Sequence, residues 1–188
     1  MKIFFHGAYA GIKHFGHLYK KIHVALKELG LTHVDDESIS LTNEEFLQQM
    51  RKGRQAYLQH YHKKMKALQE ADICVFETSI HSLGIGFLID KSLTMGKPTV
   101  VLYHKDNIPY FLVGIEDDKL IVKSYDEKNL KKVLRDVITK AKEHRDKRFN
   151  FFISPRLLNY LEKISKKEGI TKSKFIRNLI LEHMKKTT

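Results

Sequence analysis

Short apolar runs alternate with amphipathic stretches along most of the chain. Lys2 to His6 is an apolar run closed by Gly7, which predicts a buried strand opening into a turn at Ala8 to Gly11. Leu18, Ile22, Ala25, Leu26 and Leu29 recur at helical spacing from His17 onward and stop at Gly30, a C-terminal cap residue. Leu31 to Val34 reads as a short second strand. Thr42, with Glu45 three residues on, has the form of a capping box for a long helix toward Glu70 that Gly53 interrupts. Ile73 to Phe76 and Thr99 to Tyr103 are β-branched and aromatic runs of the kind found in buried parallel strands, and Ile85 to Met95 between them is long enough for a crossover helix. Leu120 to Lys123 predicts a last strand. Asp126 then caps a helix that carries Leu130, Val133, Leu134 and Val137 to about His144. This alternation predicts an α/β fold, a parallel Rossmann-type sheet with helices on both faces, over residues 1–146.

At Lys147 the period changes. Phe149, Phe151 and Ile153 alternate with Arg148, Asn150 and Phe152, as in a strand with one buried side. Ser154 and Pro155 then open a helix with Leu157, Leu158, Leu161 and Ile164 on one face. Gly169 ends that helix, and Thr171 or Ser173 caps a second one bearing Phe175, Ile176, Leu179, Ile180 and Met184. One strand and two helices in residues 147–188 cannot cover their own apolar surface. Without a disulfide or metal, the simplest solution is a homodimer in which the strands pair and four helices share a core.

Composition sharpens this division. The formal net charge is +12, and residues 139–188 hold 14 of the 34 Lys and Arg but 5 of the 22 Asp and Glu, a balance of +9. A positive field concentrated in the tail points to a polyanion, with double-stranded DNA preferred over an acidic membrane surface. A single cysteine closes no internal bridge and fits a reducing compartment. No stretch reaches the roughly 18 apolar residues of a membrane span, so a cytoplasmic location is expected. Eleven histidines invite a metal reading, but His60 and His62 are two apart and cannot share a helix face. His14 and His17 lack a carboxylate or cysteine companion, so neither metal nor cofactor is expected.

The stretch RFNFFISPRLLNYLEKISKKEGITKSKFIRNLILEHMKK, residues 147–186, resembles a ribbon-helix-helix unit of the Arc, MetJ and CopG class. The resemblance implies a dimer whose paired strands enter the DNA major groove, with Arg148, Asn150 and Phe152 outward. It also places Thr171, Lys172, Ser173 and Lys174 against a phosphate at the start of the second helix.

In the first unit, Ala71 to Phe87 reads ADICVFETSIHSLGIGF: a strand ending in Glu77, hydroxyls at Thr78, Ser79 and Ser82, then Gly84 and Gly86 opening a helix. Parallel sheets present backbone N–H groups to anions in this way, although glycines here also permit close helix–sheet packing. The segment resembles the nucleoside 2-deoxyribosyltransferase superfamily, in particular its deoxynucleoside-monophosphate N-glycosidase branch, and the likeness extends loosely over residues 1–140. It implies a nucleotide or nucleoside-like ligand, with Ser82 on a 5′-phosphate, Gly84 and Gly86 at the helix entrance, and Phe4 to Gly7 as the first strand and turn. His6, Gly7, Glu77, Ser79 and His81 complete the candidate site at the carboxyl edge of the sheet.

The family's catalytic groups are replaced. Its nucleophilic Glu falls on Leu88, its helix-borne Asp on Lys64 and its first-strand Tyr on Phe4 or Phe5; Asp90 should point away from the pocket. The reading is therefore a dimeric DNA-binding transcriptional regulator with a nucleotide-binding domain that turns nothing over. The alternative is an N-glycosidase or deoxyribosyltransferase using a displaced carboxylate such as Glu77 or Asp90, with the tail serving dimerisation or nucleic-acid localisation. A third reading is an antitoxin-like autoregulator whose N-terminal domain binds a partner protein.

Overall fold

The computed structural model describes residues 1–145 and 151–187 and divides the chain into two compact units, Met1–Asp146 and Lys147–Thr188. The first unit contains five strands, β1 (Lys2–Gly7), β2 (Thr32–His33), β3 (Ile73–Glu77), β4 (Thr99–His104) and β5 (Leu120–Tyr125). They form one sheet, all parallel, in the order β2-β1-β3-β4-β5. Parallel neighbours need crossovers, and the helices that supply them cover both faces.

Side-chain alternation sorts the two cores. Ile3, Phe5, Ile73, Val75, Val100 and Leu102 pack with α1 (Ile12–Glu28) and α7 (Leu130–Glu143). Phe4, Cys74, Phe76 and Val101 pack with α4 (Arg54–Glu70) and α5 (Leu83–Thr94). Helical periodicity supplies the other half of each core, since Leu18, Ile22 and Leu26 on α1 are fully buried at four-residue spacing. Burying each such side chain contributes about 1.5–3 kcal/mol.

Several local expectations are corrected. The first helix begins five residues before His17, at Ile12, after a 3-10 turn over Tyr9–Gly11. The interruption expected at Gly53 is present: it divides the stretch from Thr42 to Glu70 into α3 (Asn43–Met50) and α4, because Gly53 takes φ 91°, a conformation that a helix cannot contain. The capping box is present, with Thr42 and Glu45 each bonding the other's backbone N–H. A short helix α2 (Glu37–Ser40) precedes it, and α6 (Tyr110–Val113) follows β4; neither has enough residues for a periodic signal. The residue capping α7 is Asn129 rather than Asp126, whose carboxylate instead accepts from the backbone N–H groups of Lys128 and Asn129, each at 2.8 Å.

In the second unit, α8 (Pro155–Glu168) has Pro155 in its first turn and ends at Gly169, which takes φ 65°. The N–H of Ile170 reaches back to the Ser165 carbonyl at 3.1 Å, and α9 (Lys172–Thr187) follows. Of the strand expected over Arg148 to Ile153, residues 148–150 lie outside the described residues, and Phe151 to Ile153 belong to no strand in this single chain. A ladder needs a neighbouring backbone, and the expected one belongs to a second copy.

Gly7 shows how tightly the first unit is packed. A Cβ there would lie 2.6 Å from the Tyr19 ring, which is itself fully buried between α1 and the sheet. Gly7→Ala is expected to destabilise the α/β unit by about 1–3 kcal/mol, read as a lower urea midpoint with an unchanged slope.

Candidate functional site

The strand order reverses between β1 and β3, so the chain leaves these neighbours toward opposite faces and opens a crevice beyond their carboxyl ends. Gly7 pairs with Glu77, and His6 with Phe76, at this edge. Alternation sends Glu77 toward α1 and α7, and His6 toward α4 and α5. The two end-of-strand candidates therefore do not meet.

Glu77 is fully buried. It accepts from the Ser79 hydroxyl and, at 3.0 Å, from the Tyr125 hydroxyl, while Ser79 Oγ accepts from the His104 N–H at 2.7 Å. Burial pushes the Glu77 carboxyl up, with the Ser79 and Tyr125 hydrogen bonds opposing the shift, and burial beside Glu77 pushes the Tyr125 phenol up. Glu77 and Ser79 thus tie the β3 loop to β4 and β5, and neither lines the two cavities beside α5. Gly7 likewise serves packing, beneath Tyr19.

On the opposite side lies a cavity of about 450 Å³ whose wall includes His6, Tyr9, Phe46, His60, Lys64, Ser82, Gly84 and Leu88. Tyr9 and Phe46 stack with centroids 3.8 Å apart, and His6 sits edge-on to Tyr9 and parallel to Phe4. Lys64 is 2% exposed and bonds Asp35 at 2.5 Å and Glu37 at 2.7 Å. Glu37 also accepts from the Tyr9 hydroxyl at 2.9 Å, and His60 Nδ1 and Lys63 lie 3.5 and 3.3 Å from it. Burial pushes the Glu37 carboxyl up, but the Lys64 hydrogen bond and charge, Tyr9 and Lys63 outweigh it and hold the group at about 2. Burial, then the Lys64 and His60 charges, lower His6 well below the usual imidazole range, so it is neutral at neutral pH. His60 is lowered by burial and Lys64.

Ser82 caps α5, its hydroxyl accepting from the Ile85 N–H at 3.5 Å, and it borders both this cavity and a second of about 460 Å³. The second cavity is walled by His81, Gly86 and the apolar side chains of α5 and α6. A Cβ on Gly84 would come no nearer than 3.8 Å to Ser82 Oγ, and one on Gly86 would meet open space. Helix–sheet packing therefore does not require these glycines; they leave the mouths of the cavities open.

Among the described residues lining the first cavity there is no carboxylate. Leu88 forms part of its wall, and Asp90 is exposed beside Lys91, 3.6 Å away. The charge of Lys64 is met by Asp35 and Glu37, which sequence reasoning missed. Their acidic run between two short elements shows no spacing that links it to a lysine 29 residues away. Three further side chains suited to a metal converge elsewhere: His23, His33 and Asp36, none of which lines this cavity.

In the second unit, Arg148 and Asn150 lie outside the described residues, and Phe152 is fully exposed. Thr171 Oγ1 accepts from the Lys174 N–H at 3.1 Å, capping α9, and Lys172 pairs with Glu162 at 3.0 Å. Ser173 is exposed at the same helix start. Among the described residues no helix is long and apolar enough to cross a membrane.

Residues 124–182 match the family described as replication regulatory protein RepB. A solved structure, the CMP N-glycosidase of Clostridium botulinum, aligns with 73% of this chain and 99% of its own, at 16% identity and a TM-score of 0.48. No curated protein matches.

The Lys64 cluster has a pH signature. Glu37 holds its proton less tightly when folded than the ordinary value of 4.5 in the unfolded chain, so the unfolded state binds more protons between about 4.5 and 2. Its stabilisation is complete above that window and is lost as pH falls through it. Urea titrations of the wild type minus Glu37→Gln should show a difference that shrinks across this window. At pH 7, Lys64→Met, which takes the buried cation from Asp35 and the half-buried Glu37 and leaves them the exposed Lys63, should cost about 3–5 kcal/mol.

Proposed function

We propose that this chain is a DNA-binding regulator that dimerises through residues 147–186 and whose α/β unit binds a nucleotide or nucleoside-like molecule without turning it over. The observation that carries the reading is the state of the second unit: among its described residues no apolar side chain is buried. Leu157, Leu158, Leu179, Ile180 and Met184 are all exposed on two amphipathic helices. Water-exposed faces of this kind call for a partner helix pair, and a second copy supplies the same faces by symmetry.

Pairing two such units also joins two tails of charge +9, which is the field a polyanion requires. The match of residues 124–182 to replication regulatory proteins supports regulation as the role and favours replication over transcription as the process controlled. For the α/β unit, support comes from the open helix entrance at Ser82 and Gly84 beside a cavity with aromatic walls, a neutral His6 and no carboxylate. Such a wall can stack a base and hold an anion, but offers no carboxylate to attack or stabilise a glycosyl carbon. Ligand binding would act on DNA affinity by favouring one arrangement of the paired tails.

Sedimentation and DNA-binding titrations over a salt series test this reading on the full chain. The expected result is a dimer with a steep salt dependence, converted by Ile180→Lys to a monomer that no longer binds. Arg148→Ala and Asn150→Ala should each cost about 1–3 kcal/mol on a selected duplex and less on random DNA. A monomeric wild type, or binding indifferent to Arg148 and Asn150, would refute the DNA-reading dimer. Free base released from a deoxynucleotide panel, and abolished by Ser82→Ala, would refute the non-catalytic assignment.

A further inference from the structure

At the β2 edge of the sheet, His23 on α1 and His33 at the end of β2 stack with ring centroids 3.6 Å apart. Asp36, immediately before α2, lies against them, with His23 Nε2 2.8 Å from Asp36 Oδ1. One donor atom from each of the three falls within 4.8 Å of the others.

The protonation of His33 can be deduced from its partner. Its Nε2 lies 3.0 Å from the His23 carbonyl oxygen. A carbonyl only accepts, so the proton resides on Nε2 and the lone pair on Nδ1. That Nδ1 is buried and has no hydrogen-bond partner. A histidine that donates one ring N–H to a backbone carbonyl and keeps the other nitrogen bare has the arrangement that orients metal-ligating imidazoles. Nothing in the α/β packing otherwise uses this nitrogen, and leaving a buried acceptor unsatisfied costs about 1–3 kcal/mol.

We propose that His23, His33 and Asp36 form a binding site for a divalent transition-metal ion of the zinc class. Two imidazoles and one carboxylate suit Zn²⁺ and its neighbours rather than Mg²⁺ or Ca²⁺, which prefer an all-oxygen shell. Tetrahedral bonds of about 2.0–2.2 Å require donors about 3.3 Å apart, so drawing the three together takes side-chain movement of about 1 Å. His23 Nε2 and Asp36 Oδ1 are already within that separation. The ion takes the place of the proton between them, and the proton passes to His23 Nδ1 or to solvent. Asp36 is exposed, which leaves a route in and room for water as the fourth ligand. Asp36 also stands between Asp35 and Glu37, the two carboxylates that neutralise Lys64, so an ion here would anchor the segment that shapes the first cavity.

Titration of the tag-free full chain with Co²⁺ reads the site directly, because tetrahedral Co²⁺ absorbs in the visible and Zn²⁺ displaces it silently. The expected result is one Co²⁺ per chain with tetrahedral bands, erased by one equivalent of Zn²⁺. His33→Ala and Asp36→Asn should weaken binding by at least about 100-fold, beyond the 10–100-fold loss typical when a group that only supports a ligand is removed. Asp36→Asn retains an oxygen to accept from His23, so its fold, checked by circular dichroism, should be intact. His14→Ala, an exposed histidine outside the cluster, should bind as the wild type does. Absence of Co²⁺ bands in the wild type, or bands equally strong in both folded variants, would overturn the site.

Discussion

A lysine taken out of water at the edge of a sheet has to find its counter-charge inside the protein, and Lys64 finds two. A lone ammonium buried to this degree would carry a desolvation cost of several kcal/mol. Asp35 and Glu37 offset it from the short segment after β2, and Glu37 brings in Tyr9 from the turn after β1 and His60 from one turn earlier on α4. Tyr9 in turn carries Phe46 of α3 on its ring. One charge-balanced cluster therefore holds the three segments that, with α5, enclose the first cavity. Asp35 and Glu37 bind Lys64 without themselves lining the cavity, whose wall is aromatic and carries no carboxylate among the described residues.

The same edge shows a division of labour imposed by strand alternation. His6 and Glu77 end neighbouring strands, yet one faces α4 and α5 while the other faces α1 and α7. A carboxylate buried among the Ser79 and Tyr125 hydroxyls serves to hold loops, and its distance from the cavity is a consequence of register rather than of chemistry. The second unit meets a different constraint. Among its described residues the apolar faces of both helices stay exposed, so in the proposed dimer its stability and its hold on DNA would rest on the same association.

Much of the fold is legible in the chain because its signals are local. β1, β3, β4 and β5 are apolar runs bounded by turn residues, α1 and α7 carry an unbroken 3.6-residue stripe, and the Thr42 and Glu45 capping box is where its spacing predicts it. The errors arise where an element is too short for a period, as with α2 and α6, or where a glycine has two uses. Gly7 makes room for Tyr19, and Gly84 and Gly86 leave cavity mouths open, but all three are the same letter in the sequence.

By itself, then, the sequence determined the α/β alternation, the change of period at Lys147 and the concentration of positive charge in the tail, because each is a property of neighbours along the chain. The tertiary structure decided which side chains share a space. It sent Glu77 away from the cavity, brought Asp35 and Glu37 to Lys64 across 29 and 27 residues, and set His23 beside His33 and Asp36. Those pairings depend on strand order, strand register and the reversal between β1 and β3. Such relations are set by the packing of whole elements, and no spacing within a single element encodes them.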